Sequence, residues 1–429
     1  MTLPLKPNTL SLSQMCRSIE KGEHTAEAII NACFDQIEAR EPDVRAWQYQ
    51  LDREAYLKQY RDNQSFYESS LLKGLPVGIK DIIDTKDMPT EMGSPIHKGR
   101  QPIDDATCVA LIRQAGGIVL GKTVTTEFAY FKPGKTSNPK DLARTPGGSS
   151  SGSAAAVADT MVPVALGSQT AASVIRPAAY CGSIGYVGSR GEYSLRGAQP
   201  LAQSLDSLGL FSRHVEDIQL LRSILLRQSL SDAPNESVKP LRVLLCQGAL
   251  IGDASVEMAQ ALSTLSDRLL NQGVDVVDLE AGDELLEMVD HHGHIMAWEV
   301  CRNLALESNS PEMLSDPLSD LMEQGKTMKR ARYLSSLKAA EETDKWLWSL
   351  CDEVDVVLTP AAADIAPLGH DKTGSPHMSR PWQAMGLPVI TLPGMQNSAG
   401  LPLGVQLIAR HRDDDRLLQI AKWFETVLA

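Results

Sequence analysis

Lys80, Ser149 and Ser173 are residue types that together can perform acyl transfer, and both serines stand in runs of Gly, Ser and Ala. A serine hydroxyl becomes a useful nucleophile only when a base removes its proton. Lysine can be that base only when neutral, a state favoured by burial among neutral hydroxyls, which lowers its pKa. Serine–lysine sites are a known alternative to serine–histidine ones. The stretch Arg144-Thr-Pro-Gly-Gly-Ser-Ser-Ser-Gly-Ser-Ala-Ala-Ala-Val157 sets adjacent hydroxyls at a turn leading into an Ala-rich helix. In Leu166-Gly-Ser-Gln-Thr-Ala-Ala-Ser-Val-Ile-Arg-Pro-Ala-Ala-Tyr-Cys-Gly182, small residues precede Ser173. They allow a carbonyl to approach the backbone, where the N–H groups of Thr170, Ala171, Ala172 and Ser173 are free to face an oxyanion. Upstream, Gly74-Leu-Pro-Val-Gly-Ile-Lys-Asp81 reads as a short buried strand delivering Lys80, and Asp81-Ile-Ile-Asp84 implies that this strand continues inward.

Each run alone is compatible with an ordinary turn or a tightly packed helix start. Taken in order, they carry a resemblance. The chain resembles the amidase signature family, through the Gly78-Ile-Lys-Asp81 strand end, the Gly147-Gly-Ser-Ser-Ser-Gly-Ser-Ala-Ala-Ala156 turn and the Ser173 run. Ser204-Leu-Asp-Ser-Leu-Gly209, Gly386-Leu-Pro-Val-Ile-Thr-Leu-Pro393 and Gly400-Leu-Pro-Leu-Gly-Val-Gln406 extend the likeness over nearly the whole chain. The resemblance implies a nucleophilic serine 24 residues after a second serine whose preceding peptide is cis, a spacing that Ser173 and Ser149 satisfy. It thereby selects Ser149 from the run Ser149-Ser150-Ser151 and assigns a Ser173–Ser149–Lys80 relay, with an oxyanion hole at Thr170 to Ser173.

Where the family usually has Gly-Gly before the nucleophile, this chain has Ala171-Ala172, and alanine there is strained if either position needs positive φ. Ser151 replaces another family glycine. Gln169 and the run Ser173-Val-Ile-Arg-Pro-Ala-Ala-Tyr-Cys-Gly182 resemble the malonamidase-like branch. That likeness implies that Arg176 binds a substrate carboxylate, since a guanidinium fork grips one bidentately. The alternative reading of Arg176 is a structural arginine bonding loop carbonyls. The reading is thus a hydrolase cleaving the C–N bond of a small amide, with a carboxylate on that amide left open. A glutaminase-type amidotransferase subunit is the first alternative. The second is a member with an altered oxyanion site, acting as an acyltransferase or a non-catalytic binder.

Composition sets the frame. The chain has 429 residues, 43% of them apolar, and a net charge of −13, which disfavours direct nucleic-acid or anionic-membrane binding. Met1-Thr-Leu-Pro-Leu-Lys-Pro7 does not read as a signal peptide, and no stretch approaches the ~20 apolar residues of a membrane span. Seven scattered cysteines read as reduced thiols of a cytoplasmic protein. No cofactor and no metal are expected: His291-His-Gly-His294 reads as exposed histidines behind a capping Asp290, or as polar groups at the substrate mouth, more readily than as a metal cluster. A homodimer is one assembly open to it.

The elements that must position these residues follow from periodicity. Ser11 to Glu20 and Thr25 to Arg40 have helical spacing, with Thr25 as an N-cap, and a polar helix follows near Asp52 to Ser65. Strands are predicted at Val77–Ile79, Ile118–Leu120, Val162–Leu166, Leu241–Leu245, Val274–Leu279 and Val354–Leu358, and near Val389 and Val405. Helices are predicted near Thr107–Gln114, from Ser153, after Val215, over Ser255–Asn271 and from Asp413. Such alternation implies an α/β fold, a mixed central β-sheet flanked by helices on both faces, as the amidase-signature resemblance also implies. One domain over 1–429 is expected: an N-terminal helical layer (1–70), a catalytic core (71–230), and the remainder (231–429) with a helical excursion, Glu280 to Lys345, walling the substrate entrance.

Overall fold

In a computed structural model, which describes residues 6–229, 235–280, 282–350 and 353–429, one sheet runs through the protein. Its strands are β1 Trp47–Gln50, β2 Pro76–Lys80, β3 Ile118–Thr123, β4 Val164–Gln169, β5 Ile184–Val187, β6 Ser207–Ser212, β7 Arg242–Leu245, β8 Asp275–Asp278, β9 Val356–Pro360, β10 Val389–Gln396 and β11 Pro402–Ile408. Their order is β1-β3-β2-β4-β6-β5-β10-β11-β9-β7-β8. The β3-β2-β4 and β9-β7-β8 groups pair in parallel, whereas β4-β6-β5-β10-β11-β9 is antiparallel throughout, so the sheet is mixed.

Side chains alternate between two apolar layers, as the period-2 geometry of a strand requires. Val77, Ile79, Val164, Leu166 and Leu210 pack in a layer with Ile218 and Leu221 of the helix Val215–Leu226 and Leu417 and Leu418 of the helix Asp414–Leu428. Ala165 and Phe211 point the other way, toward Ala154–Val157 of the helix Ser151–Ala158 and toward Ile175 and Ala178 of the helix Ile175–Cys181. Helices therefore cover both faces. The Ala-rich composition of Ser151–Ala158 lets it sit low on the sheet: a Cβ on Gly152 would stand 2.2 Å from the Ala46 carbonyl oxygen.

Local signals hold at the N-terminal side. Ser11 and Gln14 form a reciprocal capping box at the helix Leu12–Glu20, and Thr25 Oγ1 accepts from Ala28 N–H at 3.1 Å to open the next helix. That helix runs through Pro42 to Val44, beyond the expected Arg40. The strand carrying Lys80 stops there instead of continuing inward, because the chain turns back at once with Ile82 and Ile83 N–H donating to the Lys80 carbonyl. Strands β1, β5 and β6 were not among those expected.

Cys16, Cys33, Cys108, Cys181 and Cys246 are buried free thiols and Cys301 is a partly buried one, while Cys351 lies outside the described residues. The Met1–Leu5 part of the N-terminal stretch also lies outside them. Among the described residues, no helix is long and apolar enough to cross a membrane.

Candidate active site

Lys80 ends β2 with its side chain wholly shielded from solvent. Its Nζ lies 2.7 Å from Ser149 Oγ, 2.9 Å from Ser168 Oγ and 3.4 Å from the Ser168 carbonyl oxygen. Burial pushes its pKa well below the ordinary lysine value; Asp206, acting through space, opposes the shift only in part. The neighbouring buried lysine makes a useful contrast. Lys122 pairs with Asp81 at 3.3 Å, and its pKa, although lowered by burial to about 8, is supported by that carboxylate. Asp81 directly follows Lys80 in sequence, yet its carboxylate serves Lys122 and the Glu91 N–H. Lys80 is thus left among hydroxyls and a carbonyl.

Ser149 follows a cis Gly148–Ser149 peptide, in agreement with the family pattern, and Gly147 takes φ of +80°, a turn that favours glycine. Ser149 and Ser173 both line a narrow hollow with about 350 Å³ of empty space, together with Thr170, Ala171 and Ala172. Ser150 supports the turn from beneath, its N–H donating to the Ser173 carbonyl at 3.2 Å. Among the described residues the Ser173 hydroxyl has no hydrogen-bond partner, Ser149 included; catalytic hydrogen bonds are often long before substrate arrives.

The turn before Ser173 is built by Gln169, whose Oε1 accepts from Val174 and Ile175 N–H at 2.9 and 3.1 Å. Its Nε2 donates to Gln383 Oε1 at 2.9 Å. Neither Ala171 nor Ala172 has positive φ, so the expected source of strain at the Gly-to-Ala changes is absent. Among the described residues, the N–H groups of Ala171, Ala172 and Ser173 find no acceptor in the protein.

Arg176 also lines the hollow, but its fork is occupied: Nη1 donates to the Gly374 carbonyl and Nη2 to the Gly148 carbonyl, each at 2.6 Å, and Nη2 reaches Thr373 Oγ1 at 3.2 Å. This is the loop-bonding geometry of the alternative reading, and it ties the Ser149 turn to the Thr373–Gly374 loop.

Ser168 and Arg380 were not singled out from sequence, and His292 only as part of the histidine run. The histidine run proves divided. His291 Nδ1 and His294 Nδ1 both face Ser336 Oγ, at 3.0 and 3.3 Å, whereas His292 is fully buried on the helix Glu284–Asn303. Its Nε2 lies 2.7 Å from the Thr170 carbonyl oxygen. Its burial corrects the expectation of exposed histidines, and the three rings do not converge on one point. Burial lowers the His292 pKa to about 3, so Nε2–H of a neutral ring donates to Thr170. A trans peptide points its N–H opposite its C=O. Holding the Thr170 carbonyl from the helix side therefore turns the Ala171 N–H away from that helix. Thr170 Oγ1 is held in addition by Asp206 at 2.5 Å.

A stability prediction follows from His292. Replacing it with leucine is expected to cost about 1–3 kcal/mol at pH 7 by leaving the Thr170 carbonyl without a donor. The acid response should change as well. The folded ring stays neutral down to about pH 3, whereas the unfolded ring takes a proton near its ordinary value of 6.5. The wild type therefore loses about 1.4 kcal/mol for each pH unit that it is acidified within that window. Urea melts of both proteins at pH 7 and pH 5 check this: equal acid losses in the two would refute it.

The excursion also supplies Met296 to the hollow. A larger outer hollow, with about 1600 Å³ of empty space, shares Phe131, Thr373 and Pro376 with the inner one and is bordered by Ser315 and Pro317.

A family model described as Amidase matches residues 28–418. A glutamyl-tRNA(Gln) amidotransferase subunit from Picosynechococcus sp. is 30% identical, with 95% of this chain and 96% of that protein aligned. The same-named protein of Natranaerobius thermophilus is 28% identical over 99% and 96% of the two chains. Among solved structures, one described as a crystal structure of amidase superposes with a TM-score of 0.87 at 26% identity, covering 98% of this chain and 100% of that one. A 6-aminohexanoate cyclic dimer hydrolase superposes with a TM-score of 0.84 at 25% identity, covering 98% and 97%.

Proposed function

Because the chain belongs to the amidase family and is an amide-cleaving enzyme, we propose that it hydrolyses the C–N bond of a small amide through an acyl-enzyme on Ser173. The observation that carries this reading is a wholly buried Lys80 with hydroxyl partners, 2.7 Å from Ser149, beside a hollow lined by Ser149 and Ser173. Neutral Lys80 takes the Ser149 proton as Ser149 takes that of Ser173, and Ser173 Oγ attacks the amide carbon. The oxyanion forms against the free N–H groups of the Ala171–Ser173 turn. Loss of one such donor typically costs about 3 kcal/mol of transition-state stabilisation. The relay then returns the proton to the departing amine, and water enters by the reverse path to release the acid.

The unstrained Ala171-Ala172 turn supports a working oxyanion site over a non-catalytic binder. Arg176 serves this reading as the brace of the Ser149 turn and as a positive charge at the hollow. The Gln169 and Arg176 pattern keeps the malonamidase-like branch as the proposed sub-family. A glutaminase-type amidotransferase subunit is the second reading, favoured by the names of the relatives at 28% and 30% identity.

The test is fluorophosphonate labelling followed by peptide mapping, with acid and ammonia release from amides measured on the isolated chain. Label on Ser173 and turnover without a partner are expected. Label elsewhere would move the nucleophile, and turnover of glutamine only with an added partner would favour the second reading.

A further inference from the structure

The hollow that holds Ser149 and Ser173 is lined by two arginines and no carboxylate. The two cations are not equivalent. The terminal Nη donors of Arg176 are engaged by loop oxygens, and Nη2 of Arg190, which lies nearby, by the Gln383 and Ala384 carbonyls, while the Nε of each has no partner among the described residues. Arg380, the first residue of the helix Arg380–Met385, differs: among the described residues no oxygen accepts a hydrogen bond from its guanidinium and no acid pairs with it. Its Nε is sealed from solvent and without a partner, while the side chain as a whole is partly buried on the wall of the hollow. Asp290 and the Tyr130 hydroxyl influence it only through space.

A buried guanidinium is costly unless a hydrogen-bonded counter-charge completes it, and the protein, although its net charge is −13, sends no carboxylate here. The rest of the lining is apolar at Ala129, Phe131, Leu201 and Met296. We propose that Arg380 is the anchor for a carboxylate on the substrate, so that the enzyme's preferred substrates are short amides of an acid bearing a second, ionised carboxyl group. The inference rests on the reading of Ser173 as nucleophile for the position of the scissile carbonyl. Arg380 and Ser173 line the same narrow hollow, so the chain between that carbonyl and the anchored carboxylate is short. The apolar lining suits the methylenes of that chain, and the planar fork of Arg380 matches a carboxylate bidentately.

Three proteins test this: wild type, Arg380→Met, which keeps length and loses charge, and Arg380→Lys, which keeps charge and loses the fork. Turnover of malonamate and succinamate is compared with that of propanamide and butanamide, and malonate and succinate binding is measured by calorimetry. For Arg380→Met a loss of about 100-fold in kcat/KM on the acidic amides is expected, against less than about 3-fold on the neutral ones, with Arg380→Lys recovering little. Dicarboxylate binding should vanish in Arg380→Met. Equal losses on acidic and neutral amides, or dicarboxylates that fail to bind the wild type or bind Arg380→Met unchanged, would overturn the anchor and leave the Ser173 reading intact. Failure of that reading is seen separately, as an unlabelled Ser173 and no amide turnover, and calorimetry still decides on Arg380. Thermal melts of both variants exclude unfolding as the cause of any loss.

Discussion

Replacing Ser173 with alanine is expected to lower kcat by at least about 10³-fold while leaving the fold and its stability unchanged. The fold survives because the Ser173 hydroxyl bonds to no group among the described residues, and what the turn needs from residue 173 is its backbone carbonyl, which accepts from Ser150 N–H at 3.2 Å. Ser149→Ala should cost nearly as much activity, but for a different reason, since it removes the oxygen 2.7 Å from Lys80 Nζ. The double variant should then be little worse than either single one, because members of one proton relay fail together. Amide turnover and urea melts on the three variants decide the matter. Additive losses, or more than a trace of hydrolysis by Ser173→Ala, would place the nucleophile elsewhere.

Ser149 and Ser173 were marked in sequence by the order of their runs and the resemblance those runs carry, since each run alone also suits an ordinary turn or a tightly packed helix start. Lys80 was legible because apolar residues lead into it. The supporting groups had no such signal. His292 reaches Thr170 across 122 residues, and Arg176 meets Gly374 across 198. Their partners are defined only once the helix Glu284–Asn303 and the Thr373–Gly374 loop have folded over the turn. For that reason the Arg176 fork, which the malonamidase-like resemblance implies as a substrate clamp, has its terminal nitrogens on loop oxygens, as in the alternative reading, while Arg380, which no motif marks, has no acceptor among the described residues. Strand misses have a related cause: β5 and β6 are buried on both faces, so their sequences lack the alternation that betrays a strand.

Lys80→Met is expected to abolish turnover and at the same time to stabilise the protein, two effects that a merely structural lysine would not combine. The stability gain follows from burial. Desolvation drives the pKa of the folded lysine well below the ordinary value, whereas the unfolded lysine, with a pKa of about 10.4, keeps its proton at neutral pH. The unfolded state therefore binds more protons, and wild-type stability rises with pH through the interval between the two pKa values, by about 1.4 kcal/mol per unit. Methionine has nothing to titrate, so its advantage should be largest at low pH and shrink toward pH 10. Activity runs on the same proton. The wild-type rate should fall on the acid side as Lys80 becomes charged and level off above that limb, because only the neutral amine accepts the Ser149 proton. Urea melts of both proteins from pH 6 to pH 10, set beside the wild-type kcat/KM profile, test the two consequences together. A methionine variant that is less stable at every pH, or a wild-type rate highest in acid, would mean that Lys80 carries its charge in the fold and cannot be the base.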